Sequence, residues 1–171
     1  MSKNYHNTGL YNLSFVSNSQ KILMLRRNKQ PNKGKLNGFG GKLESLESAS
    51  QSMLRELREE AGITALEYRL AGLIRCSNNK PFSDYMIFCY LVTNFEGQTF
   101  AETEEGQLKW VNESDINTDN DSIVDNIAYF LPNILHDPEL LEMNFHYDSG
   151  SSLCNFNGKQ KSRMWTGNFK F

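Results

Sequence analysis

The stretch GFGGKLESLESASQSMLRELREEAGI, residues 38–63, places three glutamates, Glu56, Glu59 and Glu60, within five positions just after a glycine run. Two arginines, Arg55 and Arg58, sit among them. The spacing predicts a helix over residues 48–61. Ser48 can cap it, Gln51 completes a capping box, and Gly62 follows where a left-handed terminator is wanted. Met53, Leu54, Leu57 and Ala61 supply an apolar stripe. Helical positions three and four apart share a face, so Glu56 lies beside both Glu59 and Glu60.

That placement works against helix physics twice. Like charges at this spacing cost about 0.2–0.5 kcal/mol per pair. The acids also crowd the helix C-terminus, where the macrodipole disfavours negative charge. A solvated face neutralised by Arg55 and Arg58 is one reading. A site for a hard divalent cation is the other, because Mg²⁺ takes carboxylate oxygens and keeps waters and substrate phosphates as its remaining ligands. The glycine-rich loop favours the second, since backbone without side chains can approach a ligand closely. Lys33, Lys35 and Lys42 lie near in sequence as phosphate contacts.

Outward from this stretch, residues 10–16 (LYNLSFV) alternate like a half-buried strand, and residues 21–25 (KILML) read as a buried one. A turn at 17–20 makes them a hairpin. Residues 28–38, rich in Asn, Lys, Gly and Pro, read as a loop. Further strands are predicted at 68–76, 85–94 and 107–111, and a late hairpin from 143–147 and 153–156. A helix is predicted over 122–135, kinked or shortened by Pro132. Alternating strand and helix indicate an α/β or α+β domain.

The 171 residues, 39% of them apolar, suit a single domain spanning 1–171. The net charge of −2 argues against a nucleic-acid polymer as partner. Locally the balance differs: positions 21 to 42 hold seven basic residues and no acidic one. Cys76, Cys89 and Cys154 are odd in number and form no CxxC, which argues against a disulfide framework and a thiolate zinc site and points to free thiols in a reducing cytoplasm. No apolar run approaches membrane-spanning length, and the opening residues do not resemble a secretory leader.

The central stretch resembles the Nudix box: G, five residues, E, seven residues, then R-E-apolar-x-E-E-x-G-apolar. Gly41, Glu47, Arg55, Glu56, Leu57, Glu59, Glu60, Gly62 and Ile63 match every fixed position, so the box occupies residues 41–63. LNGFGGK at 36–42 and EEGQLKWV at 104–111 further resemble the MutT-like branch of 8-oxo-dGTP diphosphatases. The resemblance runs loosely from Leu10 to Tyr147 and leaves the tail, residues 148–171, without a counterpart.

The resemblance implies an α/β fold, a Nudix-type α/β/α sandwich around a mixed β-sheet. It implies Mg²⁺, with Mn²⁺ as the alternative ion, held by Glu59, Glu60 and the Gly40 carbonyl. Glu56 and Glu105 are each a further ligand or the base, and their roles stay undivided. Arg55 is implied to orient the glutamates, Glu47 and Gly41 to hold the loop, and Lys42 to meet phosphate. The implied partner is a small-molecule nucleotide, cleaved to a monophosphate and pyrophosphate, with 8-oxo-dGTP or a related oxidised purine first. A nucleotide sugar, a dinucleoside polyphosphate, a plain nucleoside triphosphate, or a non-hydrolysing sensor are the alternatives. Asn37 can give and accept hydrogen bonds as a purine edge requires, or close a turn before Gly38. Asp125 and Asn126 are candidate base contacts, with Asp119 and Asp121 competing. No tryptophan stands at 122–127, where eukaryotic members of the branch carry one beside an acidic pair. Oligomeric state is not readable.

Overall fold

Residues 10–16 and 21–25 fall within β1 (Gly9–Asn18) and β2 (Lys21–Arg27), an antiparallel pair with Asn18 opposite Lys21. Ser19 and Gln20 between them both have positive φ, 48° and 65°, the twist a two-residue hairpin loop needs. The computed structural model describes residues 8–78, 84–147 and 153–161, the last as backbone only.

The helix forms as predicted. α1 (Ala49–Ala61) begins at Ser48, whose hydroxyl accepts from the Gln51 backbone N–H at 3.2 Å while the Gln51 side chain accepts from Ser48 N–H at 2.9 Å. It ends at Gly62, which has a φ of 74° and returns its N–H to Leu57 and Arg58. The next strand starts earlier than expected: β4 runs Ile63–Asn78, directly out of the helix cap. β5 (Tyr85–Gly97), β7 (Gly106–Asn112) and the late pair β8 (Leu141–Tyr147) and β9 (Leu153–Lys161) extend the predicted strands. β6 (Glu102–Thr103) is a short addition before β7. The tail 148–171 is described only in β9; residues 148–152 and 162–171 lie outside the described residues.

Two expectations are corrected. Part of the loop at 28–38 is a strand, β3 (Leu36–Asn37), paired with β2 through Leu25 and Arg26. The helix expected from residue 122 starts later, as α2 (Ile127–His136). The reason is backbone competition. Ser122 C=O, which would take the first helical bond, accepts instead from Leu36 N–H at 2.7 Å, and Val124 N–H donates to Leu36 C=O at 3.0 Å, so Ile123 is held as a β-bridge to Leu36. Pro132 lies inside α2, which continues past it to His136.

The sheet order is β6-β7-β2-β1-β5-β4-β8-β9, with β3 on β2. β1 and β5 are parallel, as are β4 and β8, and the other pairs are antiparallel, so the sheet is mixed. Each face carries its own core. Met53, Leu57 and Ala61 of α1 pack on Val16, Leu23, Leu25 and Val92. Ile127, Phe130, Leu131 and Ile134 of α2 pack with Leu13, Phe15, Met24 and Leu91 on the other side. Each such large side chain contributes about 1.5–3 kcal/mol by leaving water. Helix, sheet and helix thus form the expected three layers. Because α1 and the glycine loop cover the second face, Asn12 and Ser14 of β1 are buried and not solvent-facing as simple alternation suggests. Cys76 and Cys89 are buried free thiols, and the Cys154 side chain lies outside the described residues. No described helix is long and apolar enough to cross a membrane.

Candidate active site

The site begins where the glycine loop crosses β1. Ser14 N–H donates to Phe39 C=O at 2.7 Å, Phe39 N–H returns to Ser14 C=O at 3.0 Å, and Asn12 N–H donates to Gly41 C=O at 2.9 Å. This clamp brings the loop hard against the strand. Gly40 has a φ of 148°, and a Cβ there would collide with the Asn12 carbonyl. At Gly41 the obstacle is different: a Cβ would collide with Glu56 Oε1. The two glycines therefore let strand and carboxylate approach one backbone.

Glu60 projects from α1 into this contact. It is only 8% exposed, and its Oε2 accepts from Gly40 N–H at 2.9 Å. Burial pushes its carboxyl up to about 7, the Gly40 hydrogen bond opposes that, and the charges of Glu56 and Glu105 add to it. Burial likewise raises the Glu56 carboxyl, against the pull of Arg55. Glu59 points outward, with 59% of its side chain exposed.

Arg55 ties the acids together. Its Nε and one terminal nitrogen donate to the two Glu47 oxygens at 2.8 and 3.1 Å, a bidentate pair. Its other terminal nitrogen donates to Glu56 Oε1 at 2.9 Å and Glu59 Oε2 at 3.2 Å. The hydrogen bond from Arg55 holds the Glu47 carboxyl down at about 2, with help from the backbone at Glu44. A fixed cation thus partly balances the clustered charge, which reconciles the two readings of the acidic face: Arg55 neutralises, while Arg58 is exposed.

Glu105 lies in the turn between β6 and β7. It pairs with Lys29 at 2.7 Å and lies 3.8 Å from Arg27, and its charge reaches Glu60. The other candidate residues gather near β3. Lys35 pairs with exposed Asp125. The Leu36 bonds to residues 122–124 bring Asn37 into the neighbourhood of 125–126. Asn37 lies in β3, and its Oδ1 accepts from the adjacent Gly38 N–H at 2.9 Å; the chain makes no turn there. Asn126 is buried against Cys76, its Nδ2 lying 3.9 Å from the sulfur. Lys42, Lys33, Asp119 and Asp121 are exposed, Lys42 through its backbone beside Tyr11.

The donor set around α1 is all hard oxygen, which suits Mg²⁺ or Mn²⁺ and not a soft-ligand metal. Among the described residues, no three acidic, histidine or cysteine side chains already converge at ligand distance. Arg55 and Gly40 N–H are the partners that hold these carboxylates in place. Sequence reasoning missed Asn12, Ser52, Arg27 and Lys29. The available signals were small polar residues at inward strand and helix positions, and the basic run before the loop.

Comparison with known proteins agrees with this architecture. Residues 12–134 match the NUDIX domain. The chain is 35% identical over 104 residues to an uncharacterized Nudix hydrolase, YvcI, of Bacillus subtilis, covering 59% of this chain and 64% of that protein. It is 30% identical over 101 residues to an oxidized purine nucleoside triphosphate hydrolase of Danio rerio, again with 59% and 64% covered. The chain therefore spans less than two thirds of the length of these curated relatives. The crystal structure of a MutT protein from Bacillus halodurans superposes with a TM-score of 0.78 at 26% identity, covering 87% of this chain and 96% of that one. With the glycine loop, the acid-bearing helix and the mixed sheet arranged as described, the chain belongs to the Nudix family.

Proposed function

We propose that this protein hydrolyses a nucleoside triphosphate, with 8-oxo-dGTP or a related oxidised purine nucleotide first, to the monophosphate and pyrophosphate. The observation that carries the reading is the meeting of Glu56 and Glu60 with the Gly40–Gly41 backbone, beside Glu59 on the same helix. Nudix hydrolases generally use divalent metal ions, and Mg²⁺ is the ion proposed here. Glu56, Glu59 and Glu60, with the Gly40 carbonyl, would hold it, with Glu105 as a further proposed ligand or base. When bound, such an ion neutralises phosphate oxygens and lowers the pKa of a bound water.

The chain's own residues supply the rest. Arg55 orients Glu56 and Glu59 from a frame fixed by Glu47. Glu56, half-buried and with a raised pKa, or Glu105 takes the proton from the attacking water. Arg27 and Lys29 bring positive charge beside the acids, where a triphosphate chain must lie. Asn37, Asp125 and Asn126 are the proposed base contacts, and Lys42 a phosphate contact. The Danio rerio relative's name supports an oxidised purine as substrate. The missing tryptophan at 122–127 favours a second reading, a plain nucleoside triphosphate or another nucleoside diphosphate derivative. The buried free thiols Cys76 and Cys89 support a reducing compartment, the cytoplasm.

The test is a nucleotide panel with Mg²⁺, products separated by chromatography. A higher kcat/KM for 8-oxo-dGTP than for dATP, dCTP or dTTP is expected. A flat profile would leave a general triphosphate pyrophosphatase, and no turnover of any nucleotide would leave a binding protein.

A further inference from the structure

One buried amide oxygen has no partner. Asn12 is 2% exposed, and its Oδ1 makes no hydrogen bond, which is unusual for a buried polar atom. The orphan sits beneath Gly40, 2.7 Å from where a Cβ would stand. The amide is turned this way because its Nδ2 is engaged. That nitrogen donates to Ser52 Oγ at 2.7 Å and lies 3.4 Å from Gly41 C=O. An unpaired acceptor is costly, and the two contacts of the nitrogen are what offset it.

Ser52 is fully buried and lies one helical turn before Glu56 on the same face of α1. Its hydroxyl has one proton and two lone pairs. It accepts from Asn12 Nδ2 at 2.7 Å and from an Arg55 terminal nitrogen at 3.3 Å. Both acceptor positions of this hydroxyl are thus taken, one by β1 and one by the guanidinium that orients Glu56 and Glu59. Strand and helix meet at one uncharged atom.

We propose that Asn12 and Ser52 are positioning residues, a neutral relay from β1 through Arg55 that sets the divalent-cation affinity of the glutamates on α1. The inference rests on reading that helix face as a cation site. Neither residue touches the ion. Ser52 fixes one corner of the Arg55 guanidinium, and Asn12 fixes Ser52 while tying the Gly41 carbonyl to the same strand. Without them Arg55 keeps its charge and its carboxylate partners but loses the bond that ties its guanidinium, through Ser52, to β1.

The experiment is a Mn²⁺ titration of the full chain followed by the EPR signal of free Mn²⁺, on the parent, Ser52→Ala, Asn12→Ala, the double variant and Ser52→Thr. Metal-free melting curves and circular dichroism report folding. Each alanine variant is expected to weaken Mn²⁺ binding about tenfold, as loss of outer-shell partners does. The double variant should bind no worse than the weaker single, because links in series do not add. Ser52→Thr, which keeps the hydroxyl, should recover most of the affinity. Unchanged Mn²⁺ affinity with only a lowered melting temperature would overturn the relay, as would losses that multiply in the double variant. If Asn12→Ala does not fold, Ser52→Ala and Ser52→Thr decide alone: equal affinity in those two and the parent overturns the proposal. A parent that takes up no Mn²⁺ would overturn the cation reading and this inference with it.

Discussion

Glu60 and Asn37 each accept a hydrogen bond from the backbone of one glycine-rich loop, at Gly40 and at Gly38, and both bonds are 2.9 Å long. Their origins differ. Asn37 reaches its own neighbour, so its bond is local. Glu60 arrives from the last turn of α1, twenty residues away, and joins loop to helix. The same contrast divides the site. Around Glu60, charged side chains from α1 and the loop are cross-linked through Arg55. Around Asn37, backbone bonds join β3 to residues 122–124, and the side chains add a local bond to Gly38, an exposed ion pair and a buried thiol contact. Charge-assisted bonds, most of them within α1 and the loop before it, fix the acid side in detail. On the base side the backbone is fixed and the side chains are less constrained, so chemistry should be less tolerant of change than base preference.

Substitution of Glu60 tests the acid side most severely. Glu60→Gln removes a charge with little change of shape and should lower turnover about 100- to 1000-fold, the scale of one lost transition-state contact. Circular dichroism should show the fold retained. Turnover within threefold of the parent would place the chemistry elsewhere.

Asn37→Ala asks whether the base side reads a base at all. Loss of one buried polar contact costs about 1–3 kcal/mol, roughly five- to a hundredfold in kcat/KM. That loss should fall on the preferred purine and spare a poor pyrimidine substrate. An equal loss on all nucleotides would mean that Asn37 serves only the local backbone at Gly38.

Stability against pH sharpens the contrast further. The Glu60 carboxyl, raised to about 7 chiefly by burial, binds its proton more tightly in the folded chain than in the unfolded one. The stability this gives is complete below the ordinary carboxylate range and is lost as pH rises towards 7. Without metal, the melting temperature should therefore fall between about pH 4.5 and 7, and Glu60→Gln should flatten that fall. Mg²⁺ should raise the melting temperature more at pH 7.5 than at pH 5, where protons compete for the same carboxylates. A Mg²⁺ shift independent of pH would separate the ion from Glu60.

The smallest effect belongs to the Lys35–Asp125 pair. Asp125 is exposed, so Asp125→Asn should change stability by at most about 1 kcal/mol in urea unfolding. Any larger change would mean that this pair, and not the backbone of Leu36, holds the two segments together.

Much of the acid side was legible in the sequence because its bonds fall within one helix and the loop before it. The capping box of Ser48 and Gln51, the terminator Gly62 and the face shared by Glu56 and Glu60 all follow from helical spacing. What could not be read there depends on distant chain. Nothing near residue 122 announces that Leu36 will claim its backbone, so the start of α2 was placed too early. Asn12 and Ser14 looked solvent-facing because alternation along β1 does not reveal that its second face is roofed by the loop and α1. The role of Ser52 depends on Asn12, forty positions away, and helical spacing alone does not reveal it.

The adjacent glycines 40 and 41 would separate in a saturation scan of the chain. At position 40 the positive φ and the Asn12 carbonyl both refuse a side chain, so substitutions there should reduce the yield of folded protein. At position 41 the space is denied only by a carboxylate oxygen at the end of Glu56. Alanine there can fold by pushing that oxygen aside. The first glycine thus guards the shape of the molecule and the second guards its activity, although the two are neighbours in the chain.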